Sequence, residues 1–201
     1  EINAWLQADP KITAIYQQWT TTAKLEREAH SSIPVSLVSR DIYSIKHTTV
    51  FKSPSTTSAQ FWQQFQQGET VLISEPLSIK YQLNVGDRIK IDKLQSKLSQ
   101  TFAAKEIKDT PTFIISGIYF DYGNPIGEVI IAPSVWQQHT LPQYPISLAV
   151  NYQGDIEALQ QALISKQGLS SAHMYSQQGI KDEAISMFTK TFSITVALNS
   201  L

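Results

Sequence analysis

The side chains able to do acid–base, nucleophilic or metal chemistry are scattered through this sequence. Four histidines, His30, His47, His139 and His173, stand apart. None has the i, i+4 spacing with a carboxylate that places metal ligands on one helix face. Cysteine is absent, which removes disulfides, thiolate metal sites and cysteine nucleophiles together. Serines are numerous, but there is no Gly-x-Ser-x-Gly elbow, and nothing in the spacing gathers Asp121, His139 and a serine into a triad. Gly117, Gly123 and Gly127 fall in or between expected strands and do not open a helix, so no phosphate-cradling loop is predicted. Asp182 and Glu183 sit in the first turn of an expected helix, where they oppose the positive end of its dipole. The reading is of a non-enzyme with no catalytic residue, no metal site and no cofactor.

What remains is contact chemistry. Tyr119, Phe120, Asp121, Tyr122 and Gly123 place aromatics around a turn, which can plug a core or offer an exposed contact surface. Phe61, Trp62 and Phe65 occupy one side of a short expected helix and, with Trp136, could line an apolar cleft or fill the core. The candidate partner or cargo contacts are thus Tyr119, Phe120, Asp121, Tyr122, Phe61 and Trp62. Near the C-terminus Ile185, Phe188, Phe192 and Val196 recur at spacings of three and four, a stripe able to pack on its own domain or on a partner helix.

The elements that carry these residues follow from periodicity. Residues 11–26 are β-branched and alternating, and residues 33–41 alternate with period two, so the pair is expected as an antiparallel hairpin. Residues 42–58 are mixed, with a loop signal at 52–57. A helix is expected over 59–66, closed by Gly68, a strand over 71–74, and a helix from Glu75-Pro76 through Leu83. Strands follow at 88–92, 112–119 and 128–132, with a polar, lysine-rich interval at 93–111 read as a hairpin or insertion. Residues 133–138 form a helix with Trp136 inward, 146–152 a strand, 156–166 a helix capped by Asp155 and ended by Gly168, and 172–176 a short strand. The expected architecture is α+β. A lobe from both chain ends (1–50 and 141–201) would carry an inserted, mostly β lobe (51–140).

The chain of 201 residues is long enough for a sizeable core, and its net charge of -1 gives no basic field for nucleic acid. Residues 180–201 contain no glycine or proline, and 191–201 carry no charge. A helix apolar all round must be buried in protein or lipid. A membrane span needs about 20 such residues. The expectation is a soluble domain cut from a membrane protein, with this helix leading into the bilayer; the composition fits an extracytoplasmic location.

Three segments carry a family resemblance: VLISEPLSIKYQLNVGDRIKI (71–91), FIISGIYFDYGNPIGEVIIAPSVW (113–136) and IKDEAISMFTKTFSITVALNSL (180–201). Together, and in this order, they resemble the periplasmic domain of the FtsX/MacB-like permeases of ABC transporters. The resemblance implies an α+β Porter-like lobe with an inserted β-rich Sabre-like lobe, placed between the first two membrane helices of a bacterial inner-membrane permease. It implies a cytoplasmic ATPase as partner, a second permease copy or paralogue, and room for a periplasmic protein. It implies a mechanical role in which Ile185, Phe188, Phe192 and Val196 lie on a relay helix serving export or extraction of a lipophilic or peptide-like substrate. The alternative is a regulatory module that recruits or activates a partner such as a cell-wall hydrolase.

Overall fold

The computed structural model describes residues 2–26, 32–94, 111–121 and 123–176. Alternation makes the first hairpin: β1 (Ile12–Glu26) pairs antiparallel with β2 (Ser32–Arg40), from Gln18 opposite Arg40 to Glu26 opposite Ser32. Ala23, Leu25, Ile33, Val35 and Leu37 point to one face and are buried, while Thr22, Lys24 and Glu26 point away. The same rhythm builds β5 (Arg88–Ile91) and the start of β6 (Thr112–Tyr119), where Ile89, Ile91, Phe113 and Ile115 go inward. By contrast β4 (Thr70–Ser74) and β7 (Glu128–Ile131) are buried at every position. Such runs need cover on both faces. Three helices provide it: α3 (Ala59–Gln66) and α4 (Glu75–Tyr81) pack on β4, and α5 (Pro133–Gln138) packs on β2.

The strands close into a ring. The order β2-β7-β4-β6-β5-β1 returns to its start because β1 pairs both with β5, through Leu25–Ile91 and Glu26–Lys90, and with β2. Strand pairs β2–β7 and β4–β6 are parallel; β4–β7 and β5–β6 are antiparallel. Short β3 (Phe51–Ser53) adds to β6 beyond β5. A shift in the β4–β6 register between Val71 and Leu72 brings Gly117 against Leu72. A Cβ on Gly117 would lie 2.9 Å from Phe51 Cε1, so glycine is what lets the Phe51 ring lie flat there.

The fold is α+β, and the chain divides into two compact units: residues 15–149, and residues 1–14 with 150–201. The ring lies within the larger one. In the smaller unit α1 (Ile2–Gln7) buries Leu6, and α6 (Ile156–Gln167) buries Leu159. There Gln153 N donates to Lys11 O and Thr13 Oγ1 to Asn151 O, the latter within β8 (Ser147–Tyr152).

Residues 42–58, read as mixed, begin with a helix: α2 (Ile42–Thr48) is started by Asp41, whose Oδ1 accepts Ser44 N at 2.8 Å, and β3 follows. Two local expectations are corrected. The helix after β4 stops at Tyr81, because Gln82 takes a left-handed conformation (φ 54°) that returns Leu83 N to Ser78 O. The strand expected at 172–176 is a 3₁₀ turn at Ser171–His173, where Ser170 Oγ accepts Ala172 N and competes with extended pairing.

Candidate functional site

The aromatic turn after β6 is built over a buried polar bridge. Tyr119 ends β6 with 3% of its surface exposed, and its hydroxyl donates to Glu128 Oε1 at 2.7 Å. Glu128 begins β7, and the same oxygen accepts Arg40 Nη2 at 3.2 Å from the end of β2. The Glu128 backbone N–H donates to Ser74 Oγ at the end of β4. β6, β4 and β7 lie side by side, so Tyr119, Ser74 and Glu128 meet at one level. Burial is the main reason the Glu128 carboxyl stands above the ordinary carboxylate range, against the Tyr119 hydrogen bond and the Arg40 charge, which pull it down; Asp121 adds a further upward push. Burial, and then the facing carboxylate, hold the Tyr119 phenol well above its usual value.

Between these anchors the connection makes small local turns. Asp121 Oδ1 accepts Gly123 N, and Asn124 Oδ1 accepts Ile126 N. Gly127 has φ +99°, and Leu77 occupies the place its Cβ would need, at 2.9 Å. Its carbonyl accepts Ser36 N. Phe120 and Ile126 are exposed, 41% and 49%, and Phe120 N donates to Val50 O, the next exposed apolar residue.

The second candidate group is an interior feature. Phe61, Trp62 and Phe65 project from one side of α3, and Phe51 of β3 meets both Phe61 and Trp62 edge to face. Trp62 is 9% exposed; its indole N–H donates to Thr57 Oγ1, and Lys46 Nζ lies 5.3 Å from the ring centre. Trp136 is 2% exposed and ties its indole N–H to Pro142 O. A small cleft of about 70 Å³ opens beside it, between Trp19, Pro133, Gln137 and Gln143.

Of the contact residues expected from sequence, Tyr119 and Trp62 are inside, Phe61 and Asp121 are half-buried, and Phe120 is exposed. Tyr122 and the stripe Ile185, Phe188, Phe192 and Val196 lie outside the described residues, as does most of the 93–111 interval. The histidines are not brought together: His47 and His139 each bond through Nδ1 to the carbonyl four residues back, and His30 is outside the described residues. Glu128 and Arg40 were not singled out from sequence. The available signal was a glutamate opening the apolar run Val129–Ile131, a position that needs a partner when buried.

No family model and no curated protein matches the sequence. The fold does match solved structures. The extracellular domain of the noncanonic ABC-type transporter YknZ from Gram-positive bacteria superposes with a TM-score of 0.53 at 9% identity, over 84% of this chain and 83% of that one. The periplasmic region of MacB from Actinobacillus actinomycetemcomitans gives 0.51 at 13% identity, over 82% and 72%. A domain of a protein described as a permease from Porphyromonas gingivalis gives 0.50 at 14%, over 87% and 76%. The chain has a MacB-like fold.

Proposed function

We propose that this chain is the extracytoplasmic domain of an ABC-type transporter permease at a bacterial inner membrane. The observation that carries the reading is the shared fold, over more than four fifths of the chain, with the outward-facing domains of YknZ and MacB. Residues 2–14 and 150–176 also share one compact unit, so segments flanking the domain would act on the same body. None of the described helices is long and apolar enough to cross a membrane. In this reading the membrane segments belong to the full-length permease, which pairs with a second copy or paralogue and with a cytoplasmic ATPase.

The working cycle follows from that placement. ATP binding draws the ATPase subunits together and displaces the membrane helices. The chain-end unit takes up the displacement, and the ring-bearing units move against each other to export or extract a lipophilic or peptide-like cargo. Residues 180–201, without glycine or proline, would transmit the movement as a helix with no hinge. Inserting Gly-Pro after Phe188 is then expected to abolish transport while leaving ATPase assembly intact; undiminished transport would remove the relay.

Location is tested most directly by labelling. These 201 residues contain no cysteine, and Tyr144 is 87% exposed, so Tyr144→Cys supplies a single reactive thiol within the domain, and any cysteine elsewhere in the full-length protein is replaced by serine. In spheroplasts carrying the full-length protein, a membrane-impermeant maleimide is expected to label it fully. Labelling that requires lysis would place the domain on the wrong side of the membrane and end the transporter reading.

A further inference from the structure

The connection between β6 and β7 is tied at its base by its own flanking residues, through one buried carboxylate oxygen. Tyr119 on one flank and Arg40 from β2 both donate to Glu128 Oε1, the carboxylate of the other flank. A buried carboxylate with a single cation is sensitive to charge. Pairing offsets the desolvation of the ionised form, and losing the charge leaves the cation facing a neutral group. Arg40 Nε is buried without a hydrogen-bond partner among the described residues.

Each element around Glu128 contributes a known group. β2 brings Arg40, β6 brings Tyr119, β4 brings the Ser74 hydroxyl, and the connection itself brings Asp121, whose charge acts on both Tyr119 and Glu128. The next charged pair, Lys52 on β3 with Glu75 at the start of α4, is bonded to itself at 2.6 Å.

We propose that the Tyr119–Glu128–Arg40 bridge is a proton-operated latch on the ends of β6 and β7 and the adjoining Phe120 and Ile126, closed while Glu128 is ionised and loosened when it takes a proton. The chemical step is one proton moving from solvent to the carboxylate; only an O–H bond forms, and Arg40 keeps its charge. The latch governs how firmly Phe120 and Ile126 are presented at the surface beside Val50. Burial of the carboxylate supports the idea, because it moves the titration toward neutrality from the ordinary glutamate range.

Amide hydrogen exchange on the full chain, corrected for intrinsic rate, tests this from about pH 8 to about pH 5. Protection of the Phe120 amide, bonded to Val50 O, is expected to fall about tenfold on acidification, while that of Leu72 in β4 holds. In Glu128→Gln the Phe120 amide should be poorly protected at every pH. A flat profile in the unmodified protein, or full protection and an unchanged pH response in Glu128→Gln, would overturn the latch. If that variant does not fold, Arg40→Gln gives the second reading. Removing the cation should move the midpoint of the Phe120 transition to higher pH, and an unmoved midpoint would show that Arg40 is no part of it.

Discussion

Among the described residues, Leu6 and Leu159 are the buried hydrophobic side chains of the chain-end unit; all the others lie within residues 15–149. The larger unit closes its sheet into a ring, fills it from β1, β2, β4, β5, β6 and β7, and packs α3 and α4 on β4 and α5 on β2. The smaller unit relies on local devices. Asp155 Oδ1 accepts Glu157 N at the start of α6, Gly168 ends that helix with φ +67°, and β8 has no fully buried residue. Burial of apolar surface is the main stabilising term, at roughly 25 cal/mol per Å². The ring should therefore set global stability, while the chain-end unit opens at lower cost.

The comparison breaks first at Phe65. Its ring is fully buried between α3 and the sheet, so Phe65→Ala should cost about 3–5 kcal/mol of global stability in chemical denaturation. A loss below about 1 kcal/mol would mean that the ring-bearing unit is not the stable body supposed here.

Tyr119→Phe comes next and separates packing from polarity. The ring stays, the hydroxyl goes, and Glu128 loses one of its donors, which should cost about 1–3 kcal/mol. The same variant should raise exchange at Phe120 and leave the exchange of α6 alone. A change spread evenly over both units would say that they open together.

Asp155→Ala sharpens the contrast from the other side. Removing the cap of α6 should cost about 1 kcal/mol. The cost should appear as faster exchange of α6 amides, with the denaturation midpoint of the larger unit unchanged. A shift of that midpoint by the full amount would merge the two units energetically.

How far the sequence discloses this division depends on the range of the interactions. The β1–β2 hairpin, the apolar run of β4, and α4 and α5 with Pro76 and Pro133 in their first turns are written in periods and caps a few residues long. Closure of the ring is not, because the β1–β5 pairs Leu25–Ile91 and Glu26–Lys90 join segments far apart in sequence and are brief. Helix α2 escapes for a different reason: Tyr43, Lys46 and His47 are exposed around a single buried Ile45, so the apolar stripe is too thin to read. Aromatic spacing does not separate Phe120, which is on the surface, from Tyr119, because only the fold reveals the buried carboxylate that holds Tyr119 inward.

The smallest expected effect is the one that tests the bridge most closely, a shallow pH dependence of global stability. The folded-state pKa of Glu128 is raised above the ordinary 4.5, mainly by burial, so between those values the folded protein binds more protons than the unfolded chain. Its contribution to stability is therefore fully present below the ordinary value and is lost as pH rises through the raised one. Glu128→Gln should flatten this part of the profile in urea titrations, since an amide keeps an acceptor for Tyr119 and cannot ionise. Acidification thus has two opposite consequences at one residue. Global stability gains, because a desolvated charge is removed, while the Phe120 amide loses protection, because Arg40 loses its counter-ion. A structural ion pair that is net favourable would move both quantities downward together, and the difference between the unmodified protein and Glu128→Gln decides which description holds.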